Sequence, residues 1–203
     1  MSHYYENDQN LASKESLISF TINDKSFNLV TDNGVFSKSR LDEGSYILLK
    51  TILPLDLGNY ILDLGCGYGP IGLTIATFKE KARVDLADIN RRALALCEKN
   101  AKSLGVSDRV QIIESDIYSN ITNMYHSIVV NPPIRAGKKV TYTMYEGAKQ
   151  YLIDGGSLYI VIRKAQGALS AAKYIEELFG NIELLERAKG YHIYRAVKNE
   201  NLQ

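Results

Sequence analysis

From residue 60 onward the chain repeats one unit: a short apolar run, a turn, then a longer stretch whose apolar residues recur every three or four positions. The first pattern is that of a buried strand and the second that of a helix with one apolar face. Strands are expected over 60–64, 82–87, 110–114, 127–130 and 157–162, and helices over 71–78, 91–103, 141–152 and 169–179. Parallel neighbours need a crossover, and the crossover covers a face of the sheet, so this repetition demands a mostly parallel α/β sheet with helices on both sides. Two further strands, over 182–185 and 192–197, are joined by a short link containing Gly190. That link is too short for a crossover, so the last strand must run antiparallel in a sheet of seven. Upstream, 17–22 and 27–31 alternate apolar and polar residues around Asn23-Asp24, which reads as a small N-terminal β-hairpin, and 41–53 reads as a helix stopped by Pro54. Residues 1–57 are expected to form an appendage packed on a main domain over 58–203.

With 203 residues the chain is long enough for one full core. Its start is polar, no run of 18 apolar residues occurs, and both cysteines, Cys66 and Cys97, lie inside regular patterns. These features predict a soluble, cytoplasmic protein with reduced thiols and no membrane partner. His3, His126 and His192 are scattered at no ligand spacing, so no metal site is expected. Net charge is +1, which excludes an indiscriminate polycationic coat for nucleic acid. The charge is uneven, however: residues 1–130 hold 13 Lys and Arg against 16 Asp and Glu, whereas 131–203 hold 11 against 7.

The first strand of the repeat ends in Asp63-Leu64-Gly65-Cys66-Gly67-Tyr68-Gly69-Pro70. Alternate glycines let the backbone turn tightly and let a ligand approach without meeting a Cβ, and the following helix N-terminus offers free N–H groups. Gly67, Gly69 and Gly72 also spell the dinucleotide fingerprint, with Asp88 about 20 residues on, so the motif alone leaves the ligand open. The acids narrow it. Asp63 stands where a carboxylate would meet the ammonium of a methionine moiety, Asp88 ends the second strand where it would accept ribose hydroxyls, and Asp116 follows the third, in reach of an adenine amino group. All three fall at strand C-termini, where open α/β sheets bind ligands. S-adenosylmethionine is the expected cofactor, held by Asp63, Gly65, Gly67, Gly69, Asp88, Ile89, Asp116 and Ile117, with Asn131 beside it.

The fourth strand ends in Val130-Asn131-Pro132-Pro133-Ile134. Two prolines fix φ and force Asn131 into an extended conformation, which presents its amide and the Pro132 carbonyl as rigid acceptors. An amine conjugated to a base ring has a poorly available lone pair. Accepting both of its N–H bonds turns that pair toward a methyl donor and stabilises the charge that grows on nitrogen. Asn131, Pro132 and Pro133 are therefore the expected catalytic residues.

Taken with Gly34-Val35-Phe36-Ser37 and Leu41-Asp42-x-Gly44-Ser45 upstream, these motifs resemble the RsmC-type ribosomal RNA guanine-N2 methyltransferases over about residues 17–198. The resemblance implies a Rossmann-like class I methyltransferase fold, ribosomal RNA or a ribosomal subunit as partner, and guanine N2 as acceptor. Glutamine and adenine methyltransferases usually carry Tyr or Phe where Ile134 stands, which favours the guanine class. Two departures are plain: larger members carry a degenerate second copy of the domain, so this sequence resembles their catalytic half, and members tend to carry Asp where His126 stands. The resemblance implies that Phe36, Arg40 and Asp42 form a flap over the cofactor, with Phe36 facing the substrate; the alternative is that Phe36 packs beneath the first helix. Ile134, Arg135, Lys138 and Lys139 are expected to face the substrate, with Arg163 and Lys164 near them; Tyr142, Tyr145 and Tyr151 read as packing. Methylation of protein glutamine or of adenine, and an inactive RNA-binding relative, remain the alternatives.

Overall fold

The computed structural model describes residues 14–32 and 40–199. Strands β1 (Ser16–Ile22) and β2 (Lys25–Thr31) pair antiparallel around Asn23 and Asp24, which both take positive φ, at 47° and 62°. A two-residue turn of that hand matches the twist of the flanking strands, and Asn and Asp tolerate it better than other side chains. Period-two alternation buries Ile18, Ile22, Phe27, Leu29 and Thr31. Phe27 stacks on Phe20 and tilts against Phe78 of the main body.

The remaining strands form one sheet in the order β5-β4-β3-β6-β7-β9-β8. Its members are β3 (Tyr60–Leu64), β4 (Arg83–Asp88), β5 (Val110–Glu114), β6 (Tyr125–Val130), β7 (Leu152–Arg163), β8 (Glu183–Ala188) and β9 (Tyr191–Val197). The first five pair in parallel, and β9 runs antiparallel to both of its neighbours, as the short link predicts. Helices α1 (Glu43–Ile52), α2 (Pro70–Phe78), α3 (Arg91–Leu104), α4 (Lys138–Tyr151) and α5 (Ala168–Phe179) supply the covering layers. Ile61, Val84, Leu86, Val129 and Val161 face one layer, while Leu62, Leu64, Ile128, Val130 and Ile160 face the other. Both faces are thus buried, and the strands are continuously apolar for that reason.

One element departs from expectation. β7 begins at Leu152, directly after α4, and runs through Gly155-Gly156, ahead of the expected strand over 157–162. The strand continues because Lys198 closes its edge: Gly155 N–H donates to the Lys198 carbonyl at 2.6 Å and Lys198 N–H to the Gly156 carbonyl at 2.8 Å. The glycine pair absorbs a register shift against β6. No helix among the described residues is long and apolar enough to cross a membrane.

Candidate active site

The C-terminal ends of β3, β4, β5 and β6 share one sheet edge, and the expected site residues gather there. Gly65, Gly67 and Gly69 all take positive φ, at 73°, 57° and 91°, so the turn that follows β3 is open only to glycine. Gly65 and Cys66 donate their N–H groups to the Ala87 carbonyl, tying the turn to β4. Asp88 is buried and accepts Gly67 N–H on one oxygen and Asn90 N–H on the other, each at 2.9 Å. Asp63, 1% exposed, accepts Gly72 N–H from the first turn of α2 at 2.7 Å. Gly72 has a packing reason of its own: a Cβ there would lie 2.6 Å from Leu86 and 2.9 Å from the Asp63 carboxylate.

Burial drives the Asp63 pKa up to about 7, the Gly72 N–H restrains the rise, and the nearby Asp88 carboxylate adds to it. An ammonium group placed against Asp63 would favour its charged form and offset that burial. The donor set therefore fits S-adenosylmethionine: Asp63 for the amino acid end, Asp88 for the ribose, and the glycine turn for close backbone approach. Asp116 is exposed on a turn closed by its N–H to Ser119 Oγ at 3.0 Å. Ile117 beside it holds φ at 53°, an unusual value for a β-branched residue, with Ser115 Oγ donating to its carbonyl at 2.9 Å. Ile89 is half-buried at the end of β4. Among the described residues no group of three or more His, Cys, Asp or Glu could hold a metal. Cys66 and Cys97 are free and buried, their sulfurs 3.8 Å apart beneath the turn.

At the end of β6, Asn131 is half-buried and its side chain is anchored from one side. Nδ2 donates to Asp42 Oδ2 and to Ser45 Oγ, both at 2.9 Å, whereas Oδ1 has no hydrogen-bond partner among the described residues. Asp42 is also the N-cap of α1, accepting Ser45 N–H at 2.9 Å. Sequence reading placed Asp42 in a flap over the cofactor and missed this contact. The Asp-x-x-Ser spacing announces the cap, but nothing local announces a partner 89 residues away. Gly44 lies within the same turn because Tyr191 covers it, with its ring 2.8 Å from where a Cβ would stand. The Gly34-Val35-Phe36-Ser37 motif, and Phe36 with it, lies outside the described residues.

Pro132 is buried, Pro133 and Ile134 are half-buried, and Arg135, Lys138 and Lys139 are exposed just beyond them. Arg163 lies over the Tyr191 ring at 5.2 Å, so packing engages part of that cation. The tyrosines pack as expected: Tyr142 stacks on Tyr174, Tyr151 on Tyr118, and Tyr145 is buried against Tyr142. His126 sits at the start of β6, at the opposite edge of the sheet from Asn131, where its Nδ1 accepts Tyr60 N–H at 3.3 Å. His126 is therefore remote from Asn131.

A doubly wound sheet with an antiparallel last pair, an acid-lined glycine turn and Asn-Pro-Pro at the fourth strand end together define a class I S-adenosylmethionine-dependent methyltransferase. The comparisons with known proteins agree. Residues 26–195 match the methyltransferase small domain family, and the chain belongs to that family. It is 40% identical over 198 residues to the uncharacterized protein YbxB of Bacillus subtilis, covering 97% of this chain and 98% of that one. It is 34% identical over 172 residues to the ribosomal RNA small subunit methyltransferase C of Erwinia tasmaniensis, covering 82% of this chain and 48% of the relative. A T. thermophilus 16S ribosomal RNA guanine-N2 methyltransferase (RsmC), solved in complex with AdoMet and guanosine, superposes with a TM-score of 0.82 at 26% identity. That match covers 93% of this chain and 52% of the other. The chain thus spans about half the length of the named RNA methyltransferases it matches.

Proposed function

We propose that this protein transfers a methyl group from S-adenosylmethionine to N2 of a guanine in ribosomal RNA. The observation that carries this reading is the one-sided anchoring of Asn131: its NH2 group is occupied and its carbonyl oxygen is left to accept. Such a site suits an amine that donates two N–H bonds, one to Asn131 Oδ1 and one to the Pro132 carbonyl. When bound, S-adenosylmethionine supplies an electrophilic sulfonium methyl and departs as the neutral thioether after the S–C bond breaks. Asn131 and Pro132 hold the exocyclic amine so that its lone pair is directed at carbon, and they stabilise the positive charge developing on nitrogen. One amine proton then leaves to water, restoring a neutral secondary amine. No strong base is needed, and the described residues at the end of β6 supply none.

Ile134, where adenine and glutamine enzymes usually carry an aromatic ring, supports guanine. The relatives named for small-subunit ribosomal RNA support the RNA class. In this reading residues 58–203 form the methyltransferase domain, residues 1–57 contribute Asp42 and Ser45 to it, and the place of action is the cytoplasm, where ribosomal subunits are. A guanine inside an A-form helix hides N2, so the target base must be unpaired or flipped outward. The test is nucleoside mass spectrometry after incubation with ribosomal subunits and labelled cofactor. N2-methylguanosine is the expected product; methyl found only on protein glutamine or on adenine ends the proposal.

A further inference from the structure

We infer that Asp42 is a positioning residue for the reaction: with Ser45, it sets the rotation of the Asn131 amide and thereby creates the acceptor. The inference rests on the proposed amine-methylating role of Asn131 and goes beyond it to the residues that make that role possible. A carboxamide is nearly symmetric in shape, so packing alone does not decide which end faces a substrate. A chemically one-sided partner does. The Asp42 carboxylate, when ionised, accepts only, so the end of Asn131 lying 2.9 Å from Asp42 Oδ2 must be the NH2 group.

Ser45 makes the choice consistent. Its single hydroxyl proton points to the same Asp42 oxygen at 3.3 Å, which leaves its lone pairs to accept the second Asn131 N–H at 2.9 Å. Both amide protons are thus used, and every hydrogen in the network is directed by one carboxylate. The consequence falls on the far end of the amide. Hydrogen bonds to charged groups are the strong ones, and donation to a carboxylate pushes electron density toward Oδ1, which strengthens it as an acceptor for a nitrogen gaining positive charge. Asp42 does this from a rigid place, since it caps α1 with the same side chain and Tyr191 covers the turn at Gly44.

The alternative is that Asp42 is only a helix cap. Asp42→Ser separates the two, because serine caps helices well but is too short to reach across to Asn131. Ser45→Ala provides a second variant that keeps the cap intact. The first readout is independent of turnover: the side-chain NH2 resonances of Asn131, assigned by their disappearance in Asn131→Ala, are followed for solvent exchange in the whole protein. Exchange should be slow in the wild type and about tenfold or more faster in Asp42→Ser, the scale of one charge-assisted hydrogen bond lost.

The second readout is kinetic. Asp42→Ser should lower kcat about 10- to 100-fold with little change in the KM for S-adenosylmethionine, the pattern of a group that acts in the transition state. Added to Asn131→Ala, the same change should lower kcat no further, because its effect passes through the amide. An unchanged exchange rate in Asp42→Ser overturns the inference, as does a double variant in which the two losses multiply. A wild-type protein that methylates no RNA would sink the substrate proposal, while the exchange measurement would still decide this one.

Discussion

Asn100 and Val30 exchange two hydrogen bonds: Val30 N–H donates to Asn100 Oδ1 at 2.7 Å, and Asn100 Nδ2 donates to the Val30 carbonyl at 2.9 Å. The second proton of that amide reaches the Tyr68 carbonyl at 3.0 Å. One fully buried side chain on α3 therefore joins the N-terminal hairpin to the glycine turn. Asn100→Ala removes all three hydrogen bonds at once, at a cost of about 2 to 4 kcal/mol. Urea unfolding should report that loss, and S-adenosylhomocysteine should bind several-fold more weakly because Tyr68 belongs to the turn. A stability within about 0.5 kcal/mol of wild type would contradict this account.

Asp63 predicts a pH dependence with a definite sign. Its folded pKa, about 7, lies above the ordinary 3.8, so between those values the folded protein holds a proton that the unfolded chain has released. The stability of the ligand-free protein should fall as pH rises through that window and level off above it, by an amount on the order of 4 kcal/mol. Asp63→Asn should flatten this slope. An ammonium group beside Asp63 reverses the preference, so S-adenosylhomocysteine binding near pH 6 should release a proton. Calorimetry in two buffers of different ionisation enthalpy measures that release, and equal apparent enthalpies in both would refute it.

Asp88 faces a different test. Its two oxygens are fixed by Gly67 and Asn90, so ribose hydroxyls would meet a preorganised acceptor. Asp88→Ala should weaken S-adenosylhomocysteine by about 1.5 to 3 kcal/mol, the scale of charge-assisted hydrogen bonds lost from a buried site. Titration calorimetry that finds unchanged affinity, or a preference for NAD, would exclude the assigned ligand contacts.

The exposed cations beyond Asn131-Pro132-Pro133 test the proposed RNA substrate rather than the cofactor. Arg135, Lys138 and Lys139 stand clear of ion pairs among the described residues, in a half of the chain whose formal charge is positive. Affinity for RNA should fall steeply with salt, and Lys139→Gln should reduce the slope of log K against log salt by about 0.7 to 0.9, one phosphate contact. The same variant should leave S-adenosylhomocysteine binding unaltered. A salt slope identical to wild type would remove Lys139 from the interface.

The parts of this protein that the sequence alone determined are those written in local pattern. Unbroken apolar runs located the strands of the main sheet, period-two spacing the hairpin and period-3.6 spacing the helices, because the number of buried faces sets the pattern along each element. The glycine turn, the acids at the strand ends and Asn-Pro-Pro were legible for a related reason: parallel strands all present their C-termini at one edge, so position along the chain translates directly into position in the site. What only the tertiary structure decided lies between residues far apart in sequence. The Asp42 carboxylate against the Asn131 amide, Asn100 against Val30, and Lys198 closing β7 across Gly155-Gly156 are side chains or edges meeting after the layers pack. No local spacing encodes such meetings, since a hydrogen bond depends on distances of a few tenths of an ångström that are set by the packed core as a whole.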